Sequence, residues 1–236
     1  MKPKNPFADE AAYLLGKIAH VRGDYDEAVR WYGLVKEKVP DANSSHAFFT
    51  MEELRVPPTS VAAPGKPVSV GFEIKNLDTV RVQLYPVDLV VLFAMKKGFE
   101  RLATAELSGI APTEEIQTTP KVAKFRLEAA SASLGERKKG AYLVVLRSGR
   151  HAATSLLLVS SATLRVQRSD GSVRAYFVDG EGRPIRGARV KVGHQGRIVF
   201  SGTTDARGLV DLRDPGTGAV TVVAEKADDA AVSVHP

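Results

Sequence analysis

The hydrophobic period of this chain changes once, and the change falls at the proline-rich stretch VPPTSVAAPGKP, residues 56–67. Before it, apolar residues recur every three to four positions, which stacks them on one side of a helix. After it they alternate, which puts them on one face of a strand. A chain patterned in this way builds helices first and sheets afterwards. Proline at 57, 58, 64 and 67 cannot continue a helix, so this stretch is expected to separate the two regimes.

In the first regime, ADEAAYLLGKIAHVRG places Ala11, Leu14, Leu15, Ile18 and Val21 on one side of a helix. GDYDEAVRWYGLVKEKVP repeats the pattern with Tyr25, Ala28, Val29, Tyr32 and Val35. Gly23 is expected to end the first helix, Asp24 to cap the second and Pro40 to stop it. SSHAFFTMEELR, residues 44–55, predicts a third, capping helix with Ser44 or Ser45 at its N-cap. Trp31 and Tyr32 need no role beyond packing. If the other side of the hairpin is open, Tyr25, Trp31, Phe48 and Phe49 form an aromatic patch, the candidate protein interface of the chain.

In the second regime VSVGFEIK and TVRVQLYPVDL alternate cleanly. The run VDLVVLFAMKKGFERLA, residues 87–103, reads equally as the end of a strand or a short helix. AKFRLEA, AYLVVLRSG and ATSLLLVSS read as further strands, and SGIAPTEEIQTTPKV as a polar loop. From residue 162 onward, seven short strands are separated by Gly-, Asp- and Pro-rich gaps, as in an antiparallel sandwich. RIVFSGTTDARGLVDL reads as a hairpin, with Gly208 at the position that needs a left-handed backbone. The expected organisation is a helical segment over 1–55, a sandwich over 56–160 and a second over 161–236.

Composition narrows the chemistry. The chain has no cysteine, which excludes disulfides, thiolate metal sites, a cysteine nucleophile and a cysteine-derived thioester. The net charge of +6 is spread thinly. There are 7 basic residues against 7 acidic in 1–50, 15 against 11 in 51–160, and 11 against 9 in 161–236. Arg189 and Lys191 alternate with apolar residues and are expected on the wet face of a strand. No basic stripe interleaved with aromatics suggests a nucleic-acid partner. No apolar run approaches the roughly 20 residues of a membrane-spanning helix.

Histidines at 20, 46, 151, 194 and 235 lack ligand spacing; His151, between Arg150 and an apolar strand, is the one most worth following. Asp205, Asp211, Asp214, Asp228 and Asp229 sit at turns and read as turn-capping residues, with convergence on a calcium ion as the alternative. GEGRPIRG contains Pro184 and opens no helix, so it fails the structural condition for a phosphate loop. No catalytic residue, cofactor or metal is therefore assigned, and the chain is expected not to be an enzyme.

Two resemblances sharpen this reading. Leu15-Gly16, Gly23, Tyr25, Ala28, Tyr32 and Pro40 are similar to the packing positions of a tetratricopeptide repeat. VRVQLYPVDLVVLF, GAYLVVLRSGRHAATSLLLVSS, the GRPIRGARVKV reversal, the TTDARG turn and the VVAEKADD strand resemble the N-terminal part of bacterial α2-macroglobulin-like proteins. The resemblance implies a mainly β fold: an N-terminal α-hairpin, then two antiparallel sandwiches of macroglobulin or prealbumin type. The second sandwich is also similar to carboxypeptidase-regulatory-like modules.

The resemblance further implies a protein-binding scaffold with other proteins and further domains of the same chain as partners, a periplasmic or cell-surface setting, and a link to protease inhibition. The family's thioester motif, Cys-Gly-Glu-Gln, has no counterpart here, and no long bait loop is evident. A carbohydrate- or surface-adhesive module is the alternative.

Overall fold

The computed structural model describes residues 7–96, 110–169 and 171–235. Three helices open the chain: α1 (Ala8–Arg22), α2 (Tyr25–Val35) and α3 (Pro40–Thr50). Gly23 ends α1 in the left-handed region at φ 79°, and the Asp24 carboxylate caps α2 by accepting from the Glu27 amide at 3.2 Å. Both sides of the turn between α1 and α2 are as the sequence predicts.

The face α1 buries is not the predicted one. Ala12, Gly16 and Ala19 are buried, with Gly16 against the Tyr32 ring, while Leu14, Leu15, Ile18 and Val21 are 55, 42, 47 and 87% exposed. Small residues let the two helices approach closely, and the large apolar ones turn outward. Pro40 does not stop α2, which ends at Val35. It opens α3, where its missing N–H costs nothing and the preceding Val39 is extended at φ −115°. The third helix therefore runs about four residues earlier than expected and ends at Thr50, without a serine cap.

The first sandwich packs a three-stranded sheet on a five-stranded one. The first is ordered β1 (Glu53–Arg55), β3 (Pro67–Lys75), β6 (Glu128–Glu136). The second is ordered β2 (Thr59–Ala62), β8 (His151–Val159), β7 (Gly140–Ser148), β4 (Val80–Val87), β5 (Glu114–Thr118). Val68, Val70, Phe72 and Ile74 of β3 interleave with Val82, Leu84, Val144, Leu146, Leu157 and Val159.

Three expectations change here. Glu53–Arg55 pairs with β3 instead of extending a helix, and the Pro-rich stretch contains β2, which pairs parallel with β8 at the sheet edge. Its prolines flank the pairing residues, as edge strands permit. The loop expected at 108–122 supplies β5, an edge strand whose central Ile116 packs against the core. AKFRL of the predicted AKFRLEA strand forms the turn before β6, and its last two residues open the strand, which falls on EAASASLGE with Ala132 and Leu134 pointing inward.

After β4 comes a short helix, α4 (Leu89–Lys96), which resolves the ambiguous run as far as Lys96; its remainder lies outside the described residues. The second sandwich has sheets ordered β13 (Leu209–Arg213), β10 (Ser172–Val178), β9 (Thr163–Ser169) and β12 (Arg197–Thr203), β11 (Arg189–His194), β14 (Val220–Lys226), β15 (Asp229–His235). Its strands fall within a residue or two of the predicted ones. Phe177, Val190, Val192, Val210, Val220 and Val222 fill the space between the sheets.

The predicted β12–β13 hairpin is a crossing between the sheets. Asp205 closes the tip, its amide donating to Leu209 O at 2.9 Å, but β12 pairs with β11 and β13 with β10. Gly208 does hold the left-handed backbone, at φ 71°. A local reversal is legible in sequence. Which sheet each arm joins is decided by the core.

Candidate protein interface and the junction between the sandwiches

Of the four aromatic residues singled out, three come together. Tyr25, Phe48 and Phe49 line a groove of about 550 Å³ between the helices and the first sandwich, with His20, Phe125, Lys75 and Arg126. Phe49 forms its floor at 2% exposed, 5.2 Å from the Tyr25 ring and 4.8 Å from His20. Phe48 stands over it at 58% exposed. Trp31 lies elsewhere on α2, its indole N–H donating to Glu27 at 2.6 Å and the Arg30 guanidinium 5.2 Å from its ring.

Two cations meet aromatic faces here, Arg126 at the exposed rim and Lys75 buried behind Phe48. The Arg126 guanidinium sits 4.6 Å from the Tyr25 ring, and the Lys75 ammonium 4.4 Å from that of Phe48. Lys75 is 2% exposed. It donates to Phe48 O and lies 3.6 Å from Glu53. Asn76, at φ 54°, ties the end of α3 to the sandwich: its amide donates to Phe49 O at 2.6 Å and Met51 O at 3.0 Å, and its oxygen accepts from Phe125 N at 2.8 Å. These bonds fix the helices to the sheet and hold the groove's two walls at a set spacing.

The residues weighed for chemistry are held in separate structural pairs. His151 Nε2 is 3.0 Å from Glu52, linking β8 to the segment before β1. Asp205 accepts from the Arg207 and Leu209 amides at 2.8 and 2.9 Å, and Asp211 pairs with Arg174 at 2.5 Å. Asp214 makes a two-pronged pair with Arg168, at 2.7 and 2.8 Å, which holds its carboxyl down at about 2. Asp229 meets Lys139 at 2.9 Å. Among the described residues no three His, Cys, Asp or Glu side chains converge as metal ligands.

An ionic group shared by the two sandwiches was not legible as one in the sequence. Arg189, expected on a solvated face, reaches Asp88 at 2.6 Å and Glu225 at 2.9 Å. Glu225 is 6% exposed and accepts from the first amides of α4, Leu89 and Val90, both at 3.3 Å. Asp88 accepts from Val91 N at 2.8 Å as the helix cap. An aspartate ahead of the first sandwich's helix, an arginine from β11 and a glutamate from β14 thus lock α4 onto the second sandwich.

Apolar packing completes this junction. Leu89, Val90 and Phe93 join Tyr85, Leu143, Val145, Leu156 and Leu158 from the first sandwich with Val223 and Ala230 from the second. The five-stranded sheet is consequently covered on both faces. The Phe93 ring lies so close to Gly193 that a Cβ there would sit 2.8 Å from it. The signal available in the sequence is the absence of alternation in LVVL of β7 and LLLV of β8, as expected of strands buried on both sides.

Charge at the junction responds to acid. Burial pushes the Glu225 carboxyl up, and the amides of Val90 and Leu89 counter this only in part. Burial also pushes Asp88 up, but its bonds from Val91 and Arg189 outweigh that and its net shift is downward. Glu225 is therefore the one that takes a proton first. The folded chain holds that proton more tightly than an unfolded glutamate near 4.5, so its contribution is full below that pH and is lost as pH rises through the raised value. Glu225→Gln is expected to flatten this decline and to cost about 1–3 kcal/mol at neutral pH, since one amide oxygen replaces two accepting oxygens and its NH2 group faces donors. Denaturant midpoints of both proteins from pH 4 to 8 measure it.

Two sandwiches follow a helical segment, with Leu89, Val90 and Phe93 of α4 buried between them, and this is a macroglobulin-like fold by its similarity to solved structures. The chain is similar to native α2-macroglobulin from Escherichia coli spanning domains MG0-NIE-MG1, at 21% identity and TM-score 0.60, over 77% of this chain and 63% of that one. It is also similar to the NIE-MG1 portion of that protein, at 20% identity and TM-score 0.59, over 78% of this chain and 97% of the other. Salmonella α2-macroglobulin reacted with methylamine matches at 15% identity and TM-score 0.56, with only 12% of its length covered. No family model matches the chain, and no curated protein matches it. No helix among the described residues is long and apolar enough to cross a membrane.

Proposed function

We propose that this chain is a non-enzymatic protein-binding scaffold: macroglobulin-type sandwiches over 56–160 and 161–236 that carry a tetratricopeptide-like helical segment over 1–55. The observation that supports it best is the pairing of rigidity with an open groove. Polar side chains that would serve chemistry are tied to structural partners, while Phe48 stands exposed beside cations held at fixed positions. An aromatic rim next to the exposed Arg126 guanidinium suits a partner segment that brings an apolar side chain and a carboxylate. In this reading Tyr25 and Phe48 make the contact, Phe49 supports them from below, and Trp31 acts separately.

In this proposal the scaffold belongs to a larger, envelope-associated assembly linked to protease inhibition, a reading that the fold similarity to α2-macroglobulins supports. The immobilised full chain is expected to retain at least one purified endopeptidase from a panel of serine, cysteine and metallo-enzymes, and Phe48→Asp to release it. No retention of any endopeptidase removes the inhibitory role. Retention that is equal in Phe48→Asp removes the groove.

A further inference from the structure

The exposed side of α1 carries a pattern of its own, apart from the groove. Phe7, Ala11, Leu14, Ile18 and Val21 follow one another at spacings of four, three, four and three, the stripe of a helix that packs along a second helix. The buried residues Ala12, Gly16 and Ala19 occupy the opposite side against α2. Phe7, Leu14, Ile18 and Val21 are 68, 55, 47 and 87% exposed, a continuous apolar strip rather than scattered single residues. Leu14, Ile18 and Val21 line one shallow depression with the stems of Lys17 and Arg22.

We infer that this strip is the contact between two copies of the chain, with the two α1 helices antiparallel. Charge selects both the partner and the direction. Flanking the strip on one side are Glu10 and Lys17, and on the other Leu15 and Arg22. In a parallel pair, Lys17 of one copy faces Arg22 of the other, twice, and repels it. Antiparallel, with Ala11 opposite the partner's Leu14 and Phe7 opposite the partner's Ile18, each Glu10 meets the partner's Lys17. Two attractive pairs replace two repulsive ones, and Leu15 covers the partner's Ala8. The neighbouring antiparallel register, with Leu14 opposite the partner's Ile18, brings the two Lys17 side chains together and is disfavoured.

Lys17 lies 5.6 Å from the Tyr13 ring, a contact it exchanges for the partner's Glu10 in the dimer. Contact over one helix falls below the roughly 1,600 Å² of a standard interface, so the dimer is weak and needs concentrations of about 10–500 μM to populate. Sedimentation equilibrium of the intact chain is expected to show a monomer–dimer transition in that range. Ile18→Asp, at an exposed site, is expected to abolish it with an unchanged circular dichroism spectrum. Glu10→Lys weakens dimerisation several-fold, and adding Lys17→Glu restores it.

A zero-length carbodiimide cross-link between Glu10 and Lys17 in mixed light and heavy isotope samples identifies the intermolecular pair. Monomer throughout the range overturns the inference, including when another protein is found on this face. So does a dimer that survives Ile18→Asp, or cross-links that map to a different surface.

Discussion

Phe93→Ala is expected to destabilise the protein by about 3–5 kcal/mol, the usual cost of emptying a core site of a phenyl ring. Phe93 is 1% exposed and sits where α4, the five-stranded sheet and β11 of the second sandwich meet. Relaxation cannot refill the space, because the walls are strands fixed by their ladders and Gly193 has no side chain to offer. The loss also removes the wedge between the sandwiches. Denaturant unfolding followed by fluorescence and by hydrogen exchange is expected to change from one cooperative transition to two, with the second sandwich separating first. A loss below about 1 kcal/mol would mean that the ring is not packed as described.

Gly208→Val is the second large effect, expected at about 2–5 kcal/mol. A β-branched residue at φ 71° costs about 1–2 kcal/mol for the left-handed backbone, and overpacking adds about 1–3. Here the overpacking cannot relieve itself by a rotamer change. The added Cβ would lie 2.5 Å from Phe177 O and 3.2 Å from both Ile185 N and Pro184 Cα, all backbone atoms. Phe177 N also donates to Gly208 O at 2.9 Å, so shifting either segment breaks the bond that closes the crossing. Thermal unfolding reads this loss. An unchanged midpoint would show that the crossing between the sheets is looser than the bond pattern implies.

These two sites mark where the sequence is legible and where it is not. Alternation placed β3 and β4, because a strand with one wet face writes its orientation into every second residue, and turn residues bounded the short strands β9 to β15, among them β14, which is buried on both faces. β6 escaped because its signal is carried by small residues: Ala130 and Ala132 alternate with serines of nearly the same size, and a methyl group is a weak apolar mark. β5 escaped because a single Ile116 is too little pattern to recognise. The turn at Asp205–Gly208 was readable from local chemistry, whereas its role as a crossing depends on β13 pairing with β10, whose residues Ser172 and Tyr176 meet Arg213 and Leu209 far along the chain. For α1, the sequence shows an apolar stripe but not which way it turns; that is decided by Tyr32, which needs Gly16 beneath it.

The aromatic site was half legible. Adjacent Phe48 and Phe49 announced a surface, but a helix points neighbours about 100° apart, so one became core and the other rim. The junction at Arg189, Asp88 and Glu225 was concealed because its residues are 36 to 137 positions apart and each looks like ordinary surface charge. Unbroken apolar runs in β7 and β8 were its one trace.

The central claim is that helix α4 and the Asp88–Arg189–Glu225 group join the two sandwiches into a single rigid body on which binding surfaces are displayed. With no cysteine in the native chain, Ser131→Cys and Ala206→Cys place two spin labels without background, one on each sandwich at exposed positions. Dipolar electron resonance between them should give one narrow distance distribution that broadens in Phe93→Ala. A broad or multiple distribution in the otherwise native protein would contradict the claim.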